Sequence, residues 1–301
     1  MSRLITTHLP RGRSFAINFA LRWFGRSFRD VIALPDGRKF YITTISPVKR
    51  HLFFTNKYEE RDTQIIMRLL KDGDYFFDIG SNFGWYSIAV CDVVAPKGRV
   101  VAFDMVPELM AEFKRNIDLN NANNMITVEN IALGDHEGVV DYLYSSDTEM
   151  GNFQPEMLKD GSKEISTSAL KHGHARMTTL DQYVTERAIL RIDCMKIDID
   201  GAEVPLLRGA RTTLATLQPA IVIEVSERGQ QAQGHTCREI FEELAQHGYS
   251  FYSIRFALRQ ISPLEFGNVT KEDVLCLPPH KVHLIAQLGH NLSRDELPRS
   301  E

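Results

Sequence analysis

The sequence predicts an α/β protein: a mostly parallel, Rossmann-like sheet with helices on both faces, preceded by a small helix and hairpin extension. Three observations carry that expectation. Apolar runs of strand length alternate with helical stretches from Tyr75 to Leu277, the pattern of a sheet buried on both sides. An acid or amide stands at or near the end of successive runs, at Asp78, Asp104, Asn130, Asp198 and Glu224. The first run passes into a glycine-spaced turn, Gly80-Ser81-Asn82-Phe83-Gly84, that opens a helix. Because ligands of such sheets bind at the carboxyl ends of the strands, these residues are expected on one rim.

The chain has 301 residues, which suits one large domain with an extension, and 43% hydrophobic residues are ordinary for a globular core. A net charge of −4 gives no overall field for nucleic acid, so none is expected as a partner. The four cysteines, Cys91, Cys194, Cys237 and Cys276, are widely spaced without a Cys-x-x-Cys pair, as in a reduced cytoplasmic protein with buried thiols. No run reaches the ~18 apolar residues of a membrane span, and the N-terminus lacks the apolar core and cleavage site of a signal peptide.

In chain order, residues 1–29 carry six arginines and no acid. On a helical wheel Arg11, Arg22, Arg26 and Arg29 face away from Ile17, Ala20, Leu21, Phe24 and Phe28, which predicts a helix packed on the main domain, with weak membrane-surface or acidic-glycan contact and an organelle transit peptide as the alternatives. Asp36-Gly37 marks a hairpin turn. The extension is therefore placed at 1–58, the main domain at 59–288 and a loose tail at 289–301. Glu59 to Lys71 shows a helical stripe of Ile65, Ile66, Leu69 and Leu70, ended by Gly73. Tyr75 to Ile79 reads as the first buried strand, Trp85 to Val94 as a helix, Arg99 to Phe103 as the second strand, and Pro107 to about Asn120 as the next helix.

Met125 to Leu133 and Gly138 to Tyr144 read as further strands, followed from Ser145 to His174 by a polar, aperiodic segment expected to be a substrate-facing loop. His172 and His174 lie in it and are expected to be solvated. Asp181 is expected to begin a short helix, and Ile192 to Ile199 is a buried strand. Val204 to Leu217 reads as a helix, Pro219 to Val225 as a strand and Cys237 to His247 as a helix. Tyr249 to Ile254 and Asp273 to Leu277 close the sheet.

The turn after the first strand is Gly-x-Asn-x-Gly, not the Gly-x-Gly-x-x-Gly that seats a dinucleotide pyrophosphate. Asp104 follows Gly84 by twenty residues, at the end of the second strand, where an acid hydrogen-bonds a ribose diol. Together they indicate an adenosine-containing cofactor and argue against a nicotinamide oxidoreductase. A catalytically silent adenosyl-binding module remains the other alternative.

Asp78-Ile79-Gly80-Ser81-Asn82-Phe83-Gly84, Ala102-Phe103-Asp104, Asn130-Ile131-Ala132-Leu133, Thr179-Leu180-Asp181 and Lys196-Ile197-Asp198-Ile199-Asp200-Gly201-Ala202-Glu203 together resemble the FkbM family of S-adenosylmethionine-dependent methyltransferases, over roughly residues 59–225. Departures are Asp104 and Met105 where that family often has Glu-Pro, and Asp200 where it often has Glu. The resemblance implies a class I methyltransferase fold, S-adenosyl-L-methionine as cofactor, and methyl transfer mainly to hydroxyl oxygens of sugars, glycans or small natural products. It implies a cofactor set of Asp78, Gly80, Ser81, Asn82, Gly84, Asp104, Asn130 and Ala132.

Such a reaction needs an aligned acceptor oxygen and one base. Asp198 is the first candidate, with an ion pair to Lys196 as its structural alternative, and Asp200 is the second. Asp200 and Glu203 also fit a helix-capping pair. A divalent metal held by Asp198 and Glu224 is conceivable, but the sequence alone does not support one.

Overall fold

The computed structural model describes residues 29–43, 46–145, 150–152, 170–255, 258–262 and 271–292. The arginine-rich helix expected before residue 29, most of the expected substrate-facing loop and the end of the tail lie outside them. The described chain begins with a hairpin, β1 (Arg29–Ala33) and β2 (Lys39–Thr43), followed by α1 (Pro47–Thr55) and α2 (Glu60–Leu69). Then come β3 (Tyr75–Ile79), α3 (Trp85–Val94), β4 (Arg99–Phe103), α4 (Pro107–Leu119) and β5 (Ile126–Glu129). A smaller unit holds β6 (Ala132–Leu133), β7 (Gly138–Ser145), β8 (Met150–Asn152) and β9 (Leu170–Thr178). After α5 (Leu180–Glu186) the main sheet resumes with β10 (Cys194–Ile197), α6 (Glu203–Arg208), α7 (Arg211–Thr216) and β11 (Ala220–Ser226). The chain continues through α8 (Glu227–Ala232), α9 (Cys237–Ala245), β12 (Ser250–Ser253), β13 (Arg259–Ile261), β14 (Lys271–Leu277) and α10 (Leu284–Leu292).

The eight-stranded sheet has the order β13-β12-β14-β11-β10-β3-β4-β5. Strands β11, β10, β3, β4 and β5 run parallel, and β14 enters antiparallel between β11 and β12. The chain winds from β3 outward to β5, then returns to the other side of β3 as β10. That reversal makes the β3/β10 boundary the switch point at which a crevice opens above the strand ends. Two apolar clusters lie on the two faces, one around Phe76, Val90, Val100 and Phe113 and the other around Phe77, Phe103, Met195, Ile221 and Phe241. Successive β3 residues thus feed opposite layers, as strand geometry requires.

Several expectations change in detail. Leu34, Phe40, Ile42 and Leu52 share a core cluster with Ile65 and Trp85, and Phe40 stacks on Trp85 at 5.1 Å, so packing is continuous across the boundary placed at 58/59. The segment read as aperiodic up to His174 ends in β9, which pairs with β7 from Leu170 to Thr178. Its exposed face carries His172 and His174, which hides the apolar alternation, and His174 Nδ1 lies 2.5 Å from Asp141 Oδ1.

The single helix expected from Val204 to Leu217 is two helices. Gly209, between them, runs against the Gly134 carbonyl, which would lie 2.0 Å from a Cβ placed there. Asp181 does not cap its own helix: Thr179 is the N-cap of α5, and the Asp181 carboxylate accepts the Thr212 and Thr213 N–H groups at 2.8 and 2.7 Å, capping α7. The tail expected to be loose from Gly289 is still helical to Leu292, because Leu288 is buried and anchors α10. All four cysteines are buried free thiols.

Candidate active site

A cavity of about 310 Å³ opens above the switch point, spanning the strand ends from β4 to β11. Of the residues expected from the sequence, Gly80, Ser81, Asn82, Asp104, Ala132, Asp198 and Asp200 line it. Asp78, Gly84 and Asn130 take supporting positions. Asp78 is buried at the end of β3 and accepts hydrogen bonds from Ser87 N and Oγ at 3.0 and 2.6 Å, tying the strand to the first turn of α3. Gly84, at φ 87°, lets α3 begin directly against the Phe113 ring, which a Cβ would meet at 2.0 Å. Asn130 Nδ2 donates to the Asp104 carbonyl at 2.8 Å and so steadies the next loop.

At the β4 edge, backbone fixes the acid. Asp104 Oδ2 accepts Asn82 N–H at 3.0 Å and its Oδ1 accepts Val106 N–H at 2.9 Å. Burial, only partly offset by these backbone N–H groups, raises its pKa to about 6. Asn82 sits at φ 48°, a left-handed conformation that asparagine tolerates and that turns its N–H toward Asp104. Beside them Ser81 Oγ and Asn82 Oδ1 are buried without a hydrogen-bond partner. Buried polar atoms are seldom left so, and a pair of them in a cavity wall fits a ligand rich in hydroxyl and amine groups.

Gly80, which lines the cavity, also has a structural task. At φ 85° its missing Cβ faces the Asp198 carbonyl, which it would approach to 1.8 Å. The glycine therefore lets the ends of β3 and β10 come together, and the site forms across that close approach.

The opposite edge is dominated by side-chain charge. Asp198 follows β10, and its N–H donates to Ile79 O at 2.9 Å. The ion pair expected with Lys196 is long, 3.5 Å, because that buried ammonium is drawn to Asp273 of β14 at 2.8 Å. Burial alone would depress the Lys196 pKa, but Asp273 and then Asp198 push it well above its ordinary value. Asp200 adopts φ 50° and does not cap α6, whose N-cap is Ala202. Glu203 does not complete the expected capping pair either: its Oε1 accepts the loop N–H of Ile199 at 3.2 Å, before the helix begins. Burial, then the Asp198 charge, raises Asp200 to about 7.

Asp198, Asp200 and Glu224 each offer an oxygen within 4.8 Å of the others, as a metal site would. Lys271 already lies 2.7 Å from Glu224, and Lys196 flanks Asp198, so the cluster carries its own cations. Burial followed by the Asp198 charge raises Glu224 to about 9.

Four cavity residues had no signal in the sequence: Val48 of α1, Tyr58, Glu59 and Lys271. Tyr58 and Glu59 precede α2, and Lys271 begins an antiparallel strand inserted late in the chain. Neither position follows from the strand-end rule.

The profile of the FkbM methyltransferase domain matches residues 78–251, more than half of the chain. Among curated proteins, the AMB antimetabolite synthetase AmbE of Pseudomonas aeruginosa is 28% identical over 201 residues, 57% of this chain and 9% of its own length. A protein-L-isoaspartate O-methyltransferase of Methanococcus aeolicus is 30% identical over 105 residues, 34% of this chain and 49% of its own. The chain thus spans about half of one of these relatives and about a tenth of the other. The crystal structure of an FkbM methyltransferase from Methylobacillus flagellatus KT aligns with 70% of this chain and 47% of its own, at 15% identity and a TM-score of 0.43. An O-methyltransferase from Bacillus cereus in complex with S-adenosylhomocysteine aligns with 73% and 80%, at 14% identity and a TM-score of 0.44. At such scores the family assignment rests on the profile match.

Proposed function

The chain belongs to the FkbM methyltransferase family, and from that premise we propose that it transfers a methyl group from S-adenosyl-L-methionine to a hydroxyl oxygen of a sugar, glycan or small natural product. The observation that carries the cofactor reading is the Asp104 carboxylate, held by two backbone N–H groups beside the unpartnered Ser81 and Asn82 oxygens. Asp104 and Asn82 would hold the ribose and Ser81 the adjoining chain. Met105, Val106, Leu109 and Ile131 supply an apolar slot for the base. The cofactor, when bound, supplies an activated methyl group.

The chain's remaining tasks are to place an acceptor oxygen, exclude water and receive a proton. Asp198 is the proposed base, being a partly exposed carboxylate on the cavity wall at the switch point. Lys196 keeps positive charge behind it. Asp200, whose pKa of about 7 lies near working pH, is the next proton acceptor. The acceptor class rests on the family resemblance alone.

Calorimetric titration with S-adenosylhomocysteine tests the cofactor reading, and a labelled-methyl screen of sugars, glycans and phenols tests the acceptor. Saturable binding followed by transfer of label to a hydroxyl supports the proposal. Binding of NAD in place of the adenosyl ligand overturns it.

A further inference from the structure

Glu59 reaches the cavity from outside every sequence motif. Its backbone lies at φ 41°, ψ 44°, a left-handed conformation that is uncommon and strained for a residue with a Cβ. Thr63 holds it there: the Thr63 N–H and hydroxyl both donate to the Glu59 carbonyl, at 3.0 and 2.8 Å. The side chain is clamped as well. The hydroxyl of Tyr86, in the first turn of α3, donates to Glu59 Oε2 at 2.6 Å. Burial, then the Glu59 charge, pushes the Tyr86 pKa well above its ordinary value, so the phenol remains a donor.

What Glu59 lacks is a cation. Lys196 is engaged by Asp273 and Asp198, Lys271 by Glu224, and no ion pair reaches Glu59 among the described residues. Burial and then the Asp198 charge raise its pKa, opposed by the distant Lys196 charge and by the Tyr86 hydrogen bond. A carboxylate held in a strained backbone, fixed by an obligate donor and sunk in an acidic cavity is an unfavourable arrangement in the free protein. It becomes favourable when a ligand brings positive charge into the cavity.

We propose that Glu59, positioned by Tyr86, is the counter-charge for an onium centre of the bound ligand, and so a cofactor-binding residue contributed by the segment before the strand-turn-helix core. This inference rests on the adenosyl-methionine reading above. Two cations of that ligand share the chemistry: the sulfonium at the methyl-transfer centre and the α-ammonium of the methionyl chain. Three probes separate them. Methylthioadenosine carries neither cation, S-adenosylhomocysteine carries the α-ammonium, and sinefungin carries the α-ammonium and an amine at the transfer centre.

The experiment is calorimetry of the three probes on the wild-type full chain, Glu59→Gln and Tyr86→Phe, with circular dichroism to confirm folding. Glu59→Gln keeps an acceptor for Tyr86, and Tyr86→Phe keeps the ring, so at least one variant is expected to fold. With Glu59 at the transfer centre, Glu59→Gln weakens sinefungin about tenfold, the scale of a charged hydrogen bond, and leaves the other two probes within twofold. With Glu59 at the α-ammonium, sinefungin and S-adenosylhomocysteine weaken together while methylthioadenosine does not. Tyr86→Phe gives a smaller loss on the same probes, as a positioning residue should. Equal affinities of all three probes for folded wild-type and variant proteins overturn the inference and leave the cofactor reading standing. If none of the probes binds the wild-type protein, the cofactor reading falls and this inference with it.

Discussion

At the β4 edge of the cavity one carboxylate, Asp104, is fixed by two backbone N–H groups drawn from its own loop and the neighbouring one, all within residues 82–106. At the β10/β11 edge, Asp198, Asp200, Glu224 and Glu59 gather with Lys196 beside Asp198 and Asp273 and Lys271 beside Glu224, brought from chain positions 59 to 273. The first edge is local and uses geometry, since an N–H held by a turn needs no side-chain entropy to be in place. The second is assembled by the sheet and uses charge. A binding function that must recognise a constant ligand suits the first construction. A reacting edge, where protons and charge move, suits the second, because opposing charges tune acidity in ways backbone alone does not.

The sharpest way to break this contrast is at the hinge between the two edges. Gly80→Val places a Cβ 1.8 Å from the Asp198 carbonyl at a positive φ, so we expect loss of ligand binding and destabilisation by about 4 kcal/mol or more. Denaturant unfolding together with S-adenosylhomocysteine titration checks both, and a variant of wild-type stability would show that the edges meet elsewhere.

Next in size is the proposed reacting edge alone. Asp198→Asn is expected to lower turnover by roughly a hundredfold or more, with cofactor affinity nearly unchanged. The measurement is steady-state kinetics on the acceptor found by the labelled-methyl screen, run with and without EDTA. Turnover close to wild type would remove Asp198 from the chemistry, and loss with EDTA that magnesium restores would make the acidic cluster a metal site after all.

The local edge should respond differently. Asp104→Ala removes the acceptor for two loop N–H groups and for the proposed ribose contact, which is worth about 1.5–3 kcal/mol for a charged hydrogen bond. Affinity for S-adenosylhomocysteine is expected to fall at least tenfold in calorimetry, whereas saturating cofactor should restore most of the turnover. Unchanged affinity in a folded variant would contradict the ribose assignment.

The smallest effect is on stability against pH. Asp200 is raised from its ordinary 3.8 to about 7, so the folded chain holds a proton there that the unfolded chain has released. That contribution is fully present below the unfolded pKa and is lost as pH rises through about 7. Urea unfolding of the free protein should therefore show falling stability across that window, with a shallower fall in Asp200→Asn. An identical slope in the two proteins would mean that Asp200 does not carry the proton.

Much of the candidate site is legible in the chain because strand ends and glycine turns are local events. Asp104, Ser81 and Asn82 could be placed from the run Tyr75–Asp104, since an apolar strand, a positive-φ turn and a helix start are set by neighbours in sequence. Asp78, Gly84 and Asn130 were found by the same signals, yet the structure puts them under the cavity rather than in it. Period and spacing locate a strand end but not which side chain there turns inward.

The sequence by itself determined the alternation of strands and helices, the rim of acids and the family to which the chain belongs, all of which follow from periodicity and from linked motifs. Only the tertiary structure decided which cation meets which acid. Lys196 shares a strand face with Asp198 two residues on, the pairing that local geometry favours, but β14 brings Asp273 closer and takes the ammonium. Glu59 has no motif at all, and it enters the site because α2 and α3 bring Thr63 and Tyr86 to its carbonyl and carboxylate. Charge acts through space with no regard for sequence separation, so a buried electrostatic site is defined only once the strands and helices have packed.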